Sequence, residues 1–313
     1  VWITSELSTL LTPTRVALGN FDGLHLGHRA VIGTVCEPSG TPEPSAYGTV
    51  LSFNPHPQTF FSGQAKSLLT PFDEKVALLE AQGVQQFVLL PFDQALATLT
   101  PEAFVEKILV NHLQAQQISV GFNFRFGCQR SGDTSQLKAI AANYGIEVSI
   151  LEPKTLNGDR VSSSAIRQAL QDGEIQRAKA LLGRPYGLTG TVIQGQQLGR
   201  QIGFPTANLA VPAEKFLPRR GVYRVLVEGE GFSSLKRGVL NVGYRPTIDG
   251  LQETVEVHLL DWVGNLYGNT LTVYLEQFLR PEQKFASLQA LSAQIQIDCE
   301  TAQQQFAIES ANV

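Results

Sequence analysis

Between Arg15 and Leu151, five short apolar runs alternate with stretches of helical spacing. The runs are Arg15–Leu18, Thr49–Phe53, Phe87–Leu90, Ile118–Val120 and Glu147–Leu151. Each is rich in Val, Ile, Leu or Phe, as strands buried on both faces are. Helical patterns fall between them at about 29–36, 72–82, 101–112 and 133–144. Asp133 is placed to cap the last of these and Gly145 to end it. Thr100 and Pro101 suit the opening of the third. Strands that alternate with helices predict a parallel sheet covered by helices, an α/β domain.

The rhythm then changes. Two further helices are expected, Ser162–Leu170 and Glu174–Leu182, the second stopped by Gly183. Gly183-Arg184-Pro185-Tyr186-Gly187 is turn-rich and marks a domain boundary, giving domains at 1–184 and 185–313. A chain of 313 residues also favours two domains. Beyond the boundary, strand patterns at Leu188–Ile193, Val222–Val227, Lys236–Val242, Thr254–Asp261 and Thr270–Leu275 follow one another with glycine-rich turns between them. That predicts an antiparallel β-barrel. Phe285, Leu288, Leu291, Ile295, Ala302 and Phe306 recur at helical steps and predict a C-terminal helix with one apolar face.

Composition narrows the function. The net charge is −4, which argues against a nucleic-acid binder working through a basic face. No apolar run approaches the length needed to cross a bilayer, and no signal-peptide pattern opens the chain. Cys36, Cys128 and Cys299 stand far apart and form neither a disulfide framework nor a zinc pattern, so the expected compartment is the cytoplasm.

Two clusters carry chemistry. The first is Gly19-Asn-Phe-Asp-Gly-Leu-His-Leu-Gly-His28, between the first apolar run and the first helix. A strand, a tight glycine turn and a helix start form a phosphate site, because glycine lets backbone approach and the helix presents free N–H groups. His25 and His28, three residues apart at a helix start, lie on one side and are placed to donate to phosphoryl oxygens. A metal would need a third ligand, and none stands at suitable spacing.

This string resembles the H-x-G-H motif of the nucleotidylyltransferase superfamily. The longer G-N-F-D-G-L-H-L-G-H is similar to the FMN adenylyltransferase module of the bacterial bifunctional riboflavin kinase/FMN adenylyltransferase (FAD synthetase) family. Further segments resemble the family in order: Phe53-Asn-Pro-His-Pro57, Val120-Gly-Phe-Asn-Phe-Arg-Phe-Gly127 and Val161-Ser-Ser-Ser-Ala-Ile-Arg167. The last has Ser where the family usually has Thr, which keeps the hydroxyl. The resemblance implies a Rossmann-like nucleotidylyltransferase domain followed by a riboflavin kinase barrel. It implies His25 and His28 as donors to the α-phosphate of ATP and its leaving pyrophosphate. Nucleotide and phosphate contacts are implied for Gly19, Phe21, Asp22, Gly23, Asn123, Ser163, Ser164 and Arg167, with Asn123 also near the FMN phosphate. Phe122, Phe124 and Phe126 fit either core packing or flavin contact. His56 fits either a turn held by two prolines or substrate contact.

The second cluster is Gly199-Arg-Gln-Ile-Gly-Phe-Pro-Thr-Ala-Asn208, which resembles the riboflavin kinase motif G-R-x-x-G-F-P-T-A-N. Gly199, Gly203, Phe204 and Pro205 shape a loop for nucleotide phosphates. Thr206 and Asn208 place two neutral oxygens on one face of an extended segment, which suits Mg²⁺ when a nucleotide supplies the charge. A kinase also needs a base for its alcohol nucleophile. On its own, Glu256 in Thr254-Val-Glu-Val-His-Leu-Leu-Asp261 reads as a solvent-facing strand residue. By resemblance to V-E-x-H-x-L-D it is the catalytic carboxylate. Arg280 either contacts flavin or caps the last helix, and Ile248 stands where the family more often has Phe.

The resemblance covers both halves, so the expected reactions are phosphorylation of riboflavin to FMN and adenylylation of FMN to FAD, each using ATP. The expected partners are these small molecules, with no nucleic acid and no membrane; monomer and homo-oligomer stay open. A nucleotidylyltransferase with another acceptor is the alternative, against which the kinase half argues. A non-catalytic flavin sensor is another, against which the retained His25, His28, Thr206, Asn208 and Glu256 argue.

Overall fold

The computed structural model describes residues 1–36, 45–195, 198–247 and 250–311, so Ile248 lies outside the described residues. The chain divides into two compact units, Val1–Ser163 and Ser164–Val313.

The first unit opens with β1 (Trp2–Thr4) and continues with β2 (Thr14–Leu18), α1 (Leu26–Gly33), β3 (Tyr47–Asn54), α2 (Pro57–Ser62), α3 (Phe72–Glu80) and β4 (Gln86–Pro91). A short α4 (Gln94–Ala97) leads to α5 (Pro101–Phe104), which runs on into a π-helical stretch, Val105–His112. Then come β5 (Ala115–Gly121), α6 (Thr134–Ala142), β6 (Glu147–Leu151) and a small antiparallel pair, β7 (Thr155–Leu156) with β8 (Asp159–Arg160). Six strands form one parallel sheet in the order β1-β4-β3-β2-β5-β6. All five expected strands are present.

The apolar runs are continuous because both faces are covered. In β2, Val16 and Leu18 join one core with Val105, Ile108 and Leu137, while Ala17 faces the other core with Val31, Ile32 and Leu79. Asp133 caps α6 in a reciprocal box with Gln136. Thr100 caps α5, with Pro101 in its first turn.

The strand order places the site. From β2 the chain moves outward to β3 and β4, then returns to β5 on the other side. The order therefore reverses between β2 and β5, and ligands of open α/β sheets bind at the carboxyl ends of strands at such a point. The loop Gly19–His25 leaves β2 there, and the turn Phe122–Phe126 leaves β5 there.

The second unit takes up α7 (Ser163–Asp172), whose first residue belongs to the first unit, and α8 (Ile175–Leu182). Gly183 ends α8 in the left-handed conformation, φ +73°, which favours glycine. Next come β9 (Tyr186–Ile193), a short α9 (Leu198–Gln201), β10 (Ala207–Ala210), β11 (Gly221–Gly229), β12 (Lys236–Thr247), β13 (Gly250–Leu259) and β14 (Thr270–Pro281). Strands β9 to β14 close an antiparallel barrel in the order β10-β13-β12-β11-β14-β9.

The last helix, α10, spans Leu288–Ala311. Its buried contacts are Cys299, Ala302 and Phe306, packed with Val222, Val239 and Leu260 of the barrel. Of the apolar stripe expected from Phe285 onward, Ile295, Ala302 and Phe306 are used in this contact. Phe285 precedes the helix, and Leu288 stays exposed. Phe306 instead meets two cations, its ring 4.7 Å from the Arg224 guanidinium and 5.3 Å from that of Arg237.

Candidate active sites

His25 is the N-cap of α1, and its Nδ1 accepts the His28 backbone N–H at 3.2 Å. An accepting Nδ1 carries no proton, so the neutral ring holds its proton on Nε2. The His25 and His28 rings stack with centroids 3.6 Å apart and planes 16° apart. Phe21 meets the His28 ring edge-on at 5.4 Å. A Cβ on Gly27 would come within 3.2 Å of the His25 ring, so glycine there leaves room for the stack.

Around the pair, Thr70 ties Gly23 to Asp22, and Ser163 bonds Asp22 directly. Gly23 N–H donates to Thr70 Oγ1 at 2.9 Å, and Thr70 N–H donates to Asp22 Oδ1 at 3.2 Å. Ser163 Oγ donates to the Asp22 carbonyl at 2.7 Å. The Gly23 N–H is therefore committed within the protein, and its φ of +92° is the left-handed conformation that favours glycine. Lys75, on the first turn of α3, donates from Nζ to the Asn20 carbonyl at 2.9 Å.

Burial and charge act together here. Burial, the neighbouring His25 and the Lys75 ammonium, in that order, hold His28 well below the ordinary imidazole range. Its Nδ1 is sealed from solvent and has no hydrogen-bond partner among the described residues. Burial pulls Lys75 down from the usual lysine value, and the Asp22 carboxylate opposes that. Thr70 and Lys75 escaped the sequence reading. A threonine before a proline and a lysine in an amphipathic first turn both read as ordinary surface.

Other expected residues have distinct surroundings. His56 caps α2, its Nδ1 accepting from Gln58 N–H at 3.0 Å. Phe124 and Phe126 stack at 5.8 Å beside the core, and Phe126 is buried against Phe104. They do not continue β5, which ends at Gly121. Phe122 lies under the Arg160 guanidinium at 4.7 Å, and Asn123, the next residue, is exposed in the turn. Ser164 is exposed on α7, and the Arg167 guanidinium lies 5.6 Å from the Phe216 ring centre.

In the second unit, pairing of β10 with β13 sets Asn208 opposite Glu256. Thr206 Oγ1 donates to Glu256 Oε2 at 3.4 Å. Two residues along β13, His258 Nδ1 donates to the Pro205 carbonyl at 2.8 Å, and its ring meets Phe204 edge-on at 5.6 Å. The approach to Thr206 is a tight loop: Phe204 N–H donates to the Gly199 carbonyl at 2.7 Å, and Gly203 has φ +89°. A Cβ on Gly199 would strike the Phe204 carbonyl, and one on Gly195 would strike the Asn208 carboxamide. Gly199 thus leaves space for the loop, Gly203 gives it a left-handed residue, and Gly195, just before the motif, leaves space for Asn208.

Arg280 pairs with α10. Its Nε and Nη2 reach both oxygens of Asp298 at 2.8 and 2.7 Å, the fork geometry typical of arginine with carboxylate. Asp298 lies in the middle of the helix, so this contact docks α10 by its side.

An FAD synthetase family model matches residues 8–165, and a riboflavin kinase family model matches residues 182–306. The bifunctional riboflavin kinase/FMN adenylyltransferase of Escherichia coli strain K12 is 40% identical over 294 residues, 94% of this chain and 93% of that protein. This chain belongs to the bifunctional riboflavin kinase/FMN adenylyltransferase family. The Haemophilus influenzae member is 39% identical over 93% of this chain and 94% of its own length. The Bacillus subtilis member is 34% identical, over 93% and 92%. A solved structure titled a macrolide-efflux protein from Streptococcus pneumoniae shares the fold, with a TM-score of 0.84 and 30% identity over 96% of this chain and 98% of that one. In the present chain no helix among the described residues is long and apolar enough to cross a membrane.

As a bifunctional riboflavin kinase/FMN adenylyltransferase, the chain phosphorylates riboflavin to FMN with ATP, then joins FMN to the adenylyl group of a second ATP, giving FAD and pyrophosphate. The His25–His28 stack lies within the FAD synthetase match, and the Thr206–Asn208–Glu256 cluster lies within the riboflavin kinase match.

Proposed function

We propose that the two reactions use separate side-chain sets, with residues 1–184 carrying adenylyl transfer and 185–313 carrying phosphorylation. The observation behind this is that each half gathers its own phosphate-handling groups: a stacked imidazole pair at a helix start, and a carboxylate beside two neutral oxygens across a strand pair.

In adenylyl transfer the FMN phosphate attacks the α-phosphorus of ATP, and the bond to pyrophosphate breaks. The nucleophile is already an anion, so the protein aligns two anions and stabilises the five-coordinate phosphorus. His25, with its proton fixed on Nε2, and His28 donate to the α-phosphoryl oxygens. Asp22, Gly23 and Ser163 hold the loop, and Gly19 and Phe21 pack under it. A Cβ on Gly19 would come within 3.1 Å of the Phe21 ring. Ser164 and Arg167 are assigned to nucleotide phosphates, and Asn123 to the FMN phosphate, on the strength of their motifs.

In phosphorylation the riboflavin 5′-hydroxyl attacks the γ-phosphorus, its proton passes to Glu256, and ADP leaves. Thr206 and Asn208, with Glu256 beside them, are an all-oxygen donor set of low charge. That fits Mg²⁺ shared with nucleotide phosphates. When bound, the ion draws charge from the transferring phosphoryl group. Gly199, Gly203, Phe204 and Pro205 form the loop over the phosphates. The substrates are small molecules, and no nucleic-acid role is assigned. The three free cysteines fit a reducing cytoplasm.

Two variants test this. His28→Ala removes one donor to the transition state, which costs about 10²- to 10³-fold in rate. FAD formation from FMN and ATP should fall by that much, with riboflavin phosphorylation intact. Glu256→Gln should do the reverse, lowering FMN formation about 10²- to 10⁴-fold as general-base removal does. Joint loss of both activities in either variant would refute the two-site assignment.

A further inference from the structure

Lys75 is a charged group at the histidine loop that neither the motifs nor the proposed chemistry uses, and its placement is specific. The side chain rises from the first turn of α3 and ends on the Asn20 carbonyl, in the middle of the G-N-F-D-G segment. On one side it faces the Asp22 carboxylate, which itself holds Thr70 N–H. On the other it acts on His28, whose ring is stacked on His25 and whose Nδ1 is sealed without a partner. A lysine kept for solubility would point to water. This one spends its donor on the loop that carries the imidazoles.

We propose that Lys75 is a positioning residue for adenylyl transfer: its ammonium clamps the Asn20 carbonyl and supplies the fixed positive charge beside the His25–His28 stack. The inference rests on the reading that His28 serves adenylyl transfer.

The physical case follows from what a second proton would require. A charged His28 has two N–H groups, and the sealed Nδ1 offers no acceptor, so protonation there leaves a buried donor unsatisfied. The ring stacked 3.6 Å away disfavours the same charge, and so does Lys75. The charged and titratable groups facing His28 are His25 from its own helix start and Lys75 from α3. Asp73 and Glu74 precede Lys75 on the first turn of α3. Burial, the His25 ring and Lys75, in that order, therefore hold His28 as a neutral single donor, and Lys75 stands between that pair and the Asp22 carboxylate. Burial works against the charge on Lys75, and the Asp22 carboxylate opposes that effect.

Two substitutions in the full-length enzyme separate charge from anchorage. Lys75→Gln keeps an N–H donor for the Asn20 carbonyl and removes the charge. Lys75→Arg keeps both. The His28 titration is followed by NMR of the imidazole C–H signals, assigned by comparison with His28→Ala. FAD formation from FMN and FMN formation from riboflavin are measured in parallel, the second serving as a control for a folded enzyme. In Lys75→Gln the His28 midpoint should rise toward the ordinary imidazole value. The turnover number for adenylyl transfer should fall roughly ten- to a hundredfold, the size of effect that misplacing a reacting group brings. Lys75→Arg should leave the His28 midpoint low and retain most of the adenylyl transfer. An unmoved His28 midpoint in Lys75→Gln overturns the proposal, whether or not the rate falls, because a purely structural tie would behave so. Unchanged adenylyl transfer in Lys75→Gln overturns it as well. The underlying reading fails separately, if His28→Ala itself forms FAD at the full rate.

Discussion

Removing the Arg280 guanidinium is the sharpest test of how the last helix is held. Asp298 has only 5% of its side chain exposed, and Arg280 covers both of its oxygens. In Arg280→Met the carboxylate keeps one donor, Gln294 Nε2 at 3.0 Å. Breaking a buried pair by deleting one partner costs about 3–5 kcal/mol, most of it the stranded charge. Arg280 is itself 19% exposed, so water reaches the pair and the lower end applies, about 3 kcal/mol. That is a shift of more than about a hundredfold in the folding equilibrium of this half. The double variant Arg280→Met, Asp298→Leu removes the stranded charge as well and should recover most of the loss. Urea unfolding of the full chain, followed through the signal of the barrel half, gives the three free energies of the cycle. Riboflavin kinase kinetics run alongside. The reasoning is refuted if Arg280→Met costs less than about 1 kcal/mol, the value of an exposed pair. A rise in the KM for riboflavin with no loss of stability would make Arg280 a flavin contact.

Three further outcomes are expected. The native His28 value lies below the ordinary 6.5, so as pH falls the unfolded chain takes up this proton first. The stability it contributes is complete above about pH 6.5 and is lost as pH falls from there through the lower native value. Urea midpoints of the first unit should therefore drop between pH 7.5 and 5.5, and less so in His28→Ala; equal slopes would contradict this. Burial, then the Asp298 and Glu300 carboxylates, push the Cys299 thiol up to about 11. At pH 8 it should alkylate far more slowly than the half-buried Cys128, which peptide mapping after a timed iodoacetamide pulse would show. Gly195→Ala should displace the Asn208 carboxamide, lowering riboflavin phosphorylation by about tenfold or more and raising the Mg²⁺ needed, while FAD formation from FMN is kept.

The α/β half was legible because each of its central strands is buried on both faces, and an apolar run announces that without help from any neighbour. The edge strand β1 was not legible. It is three residues long, and Trp2 and Ile3 are 48% and 40% exposed, so no periodicity could form. The last helix was legible in extent but less so in use, since its first turn, with Leu288 exposed, lies outside the cluster that holds Ile295, Cys299, Ala302 and Phe306. The strand, turn and helix start that carry the histidine loop were readable because they are consecutive in the chain.

The kinase cluster was harder for a reason that its geometry makes plain. Glu256 in an isolated strand reads as a solvated carboxylate, and nothing local argues otherwise. Once β13 is a strand, alternate side chains share a face, so Glu256 and His258 must point the same way. His258 holds the Pro205 carbonyl, and Thr206 is the next residue, so that face must meet the Thr206–Asn208 segment. The missing fact was a pairing partner, and it was β10, four residues lying directly behind a proline in a motif that reads as a loop. Propensity has no hold on so short a strand. Its register is set by the barrel on both edges, β9 on one side and β13 on the other. Asn208 therefore faces Glu256 through closure of the whole barrel. Substitutions that loosen β9 against β10 should damage phosphorylation even though they touch neither catalytic group.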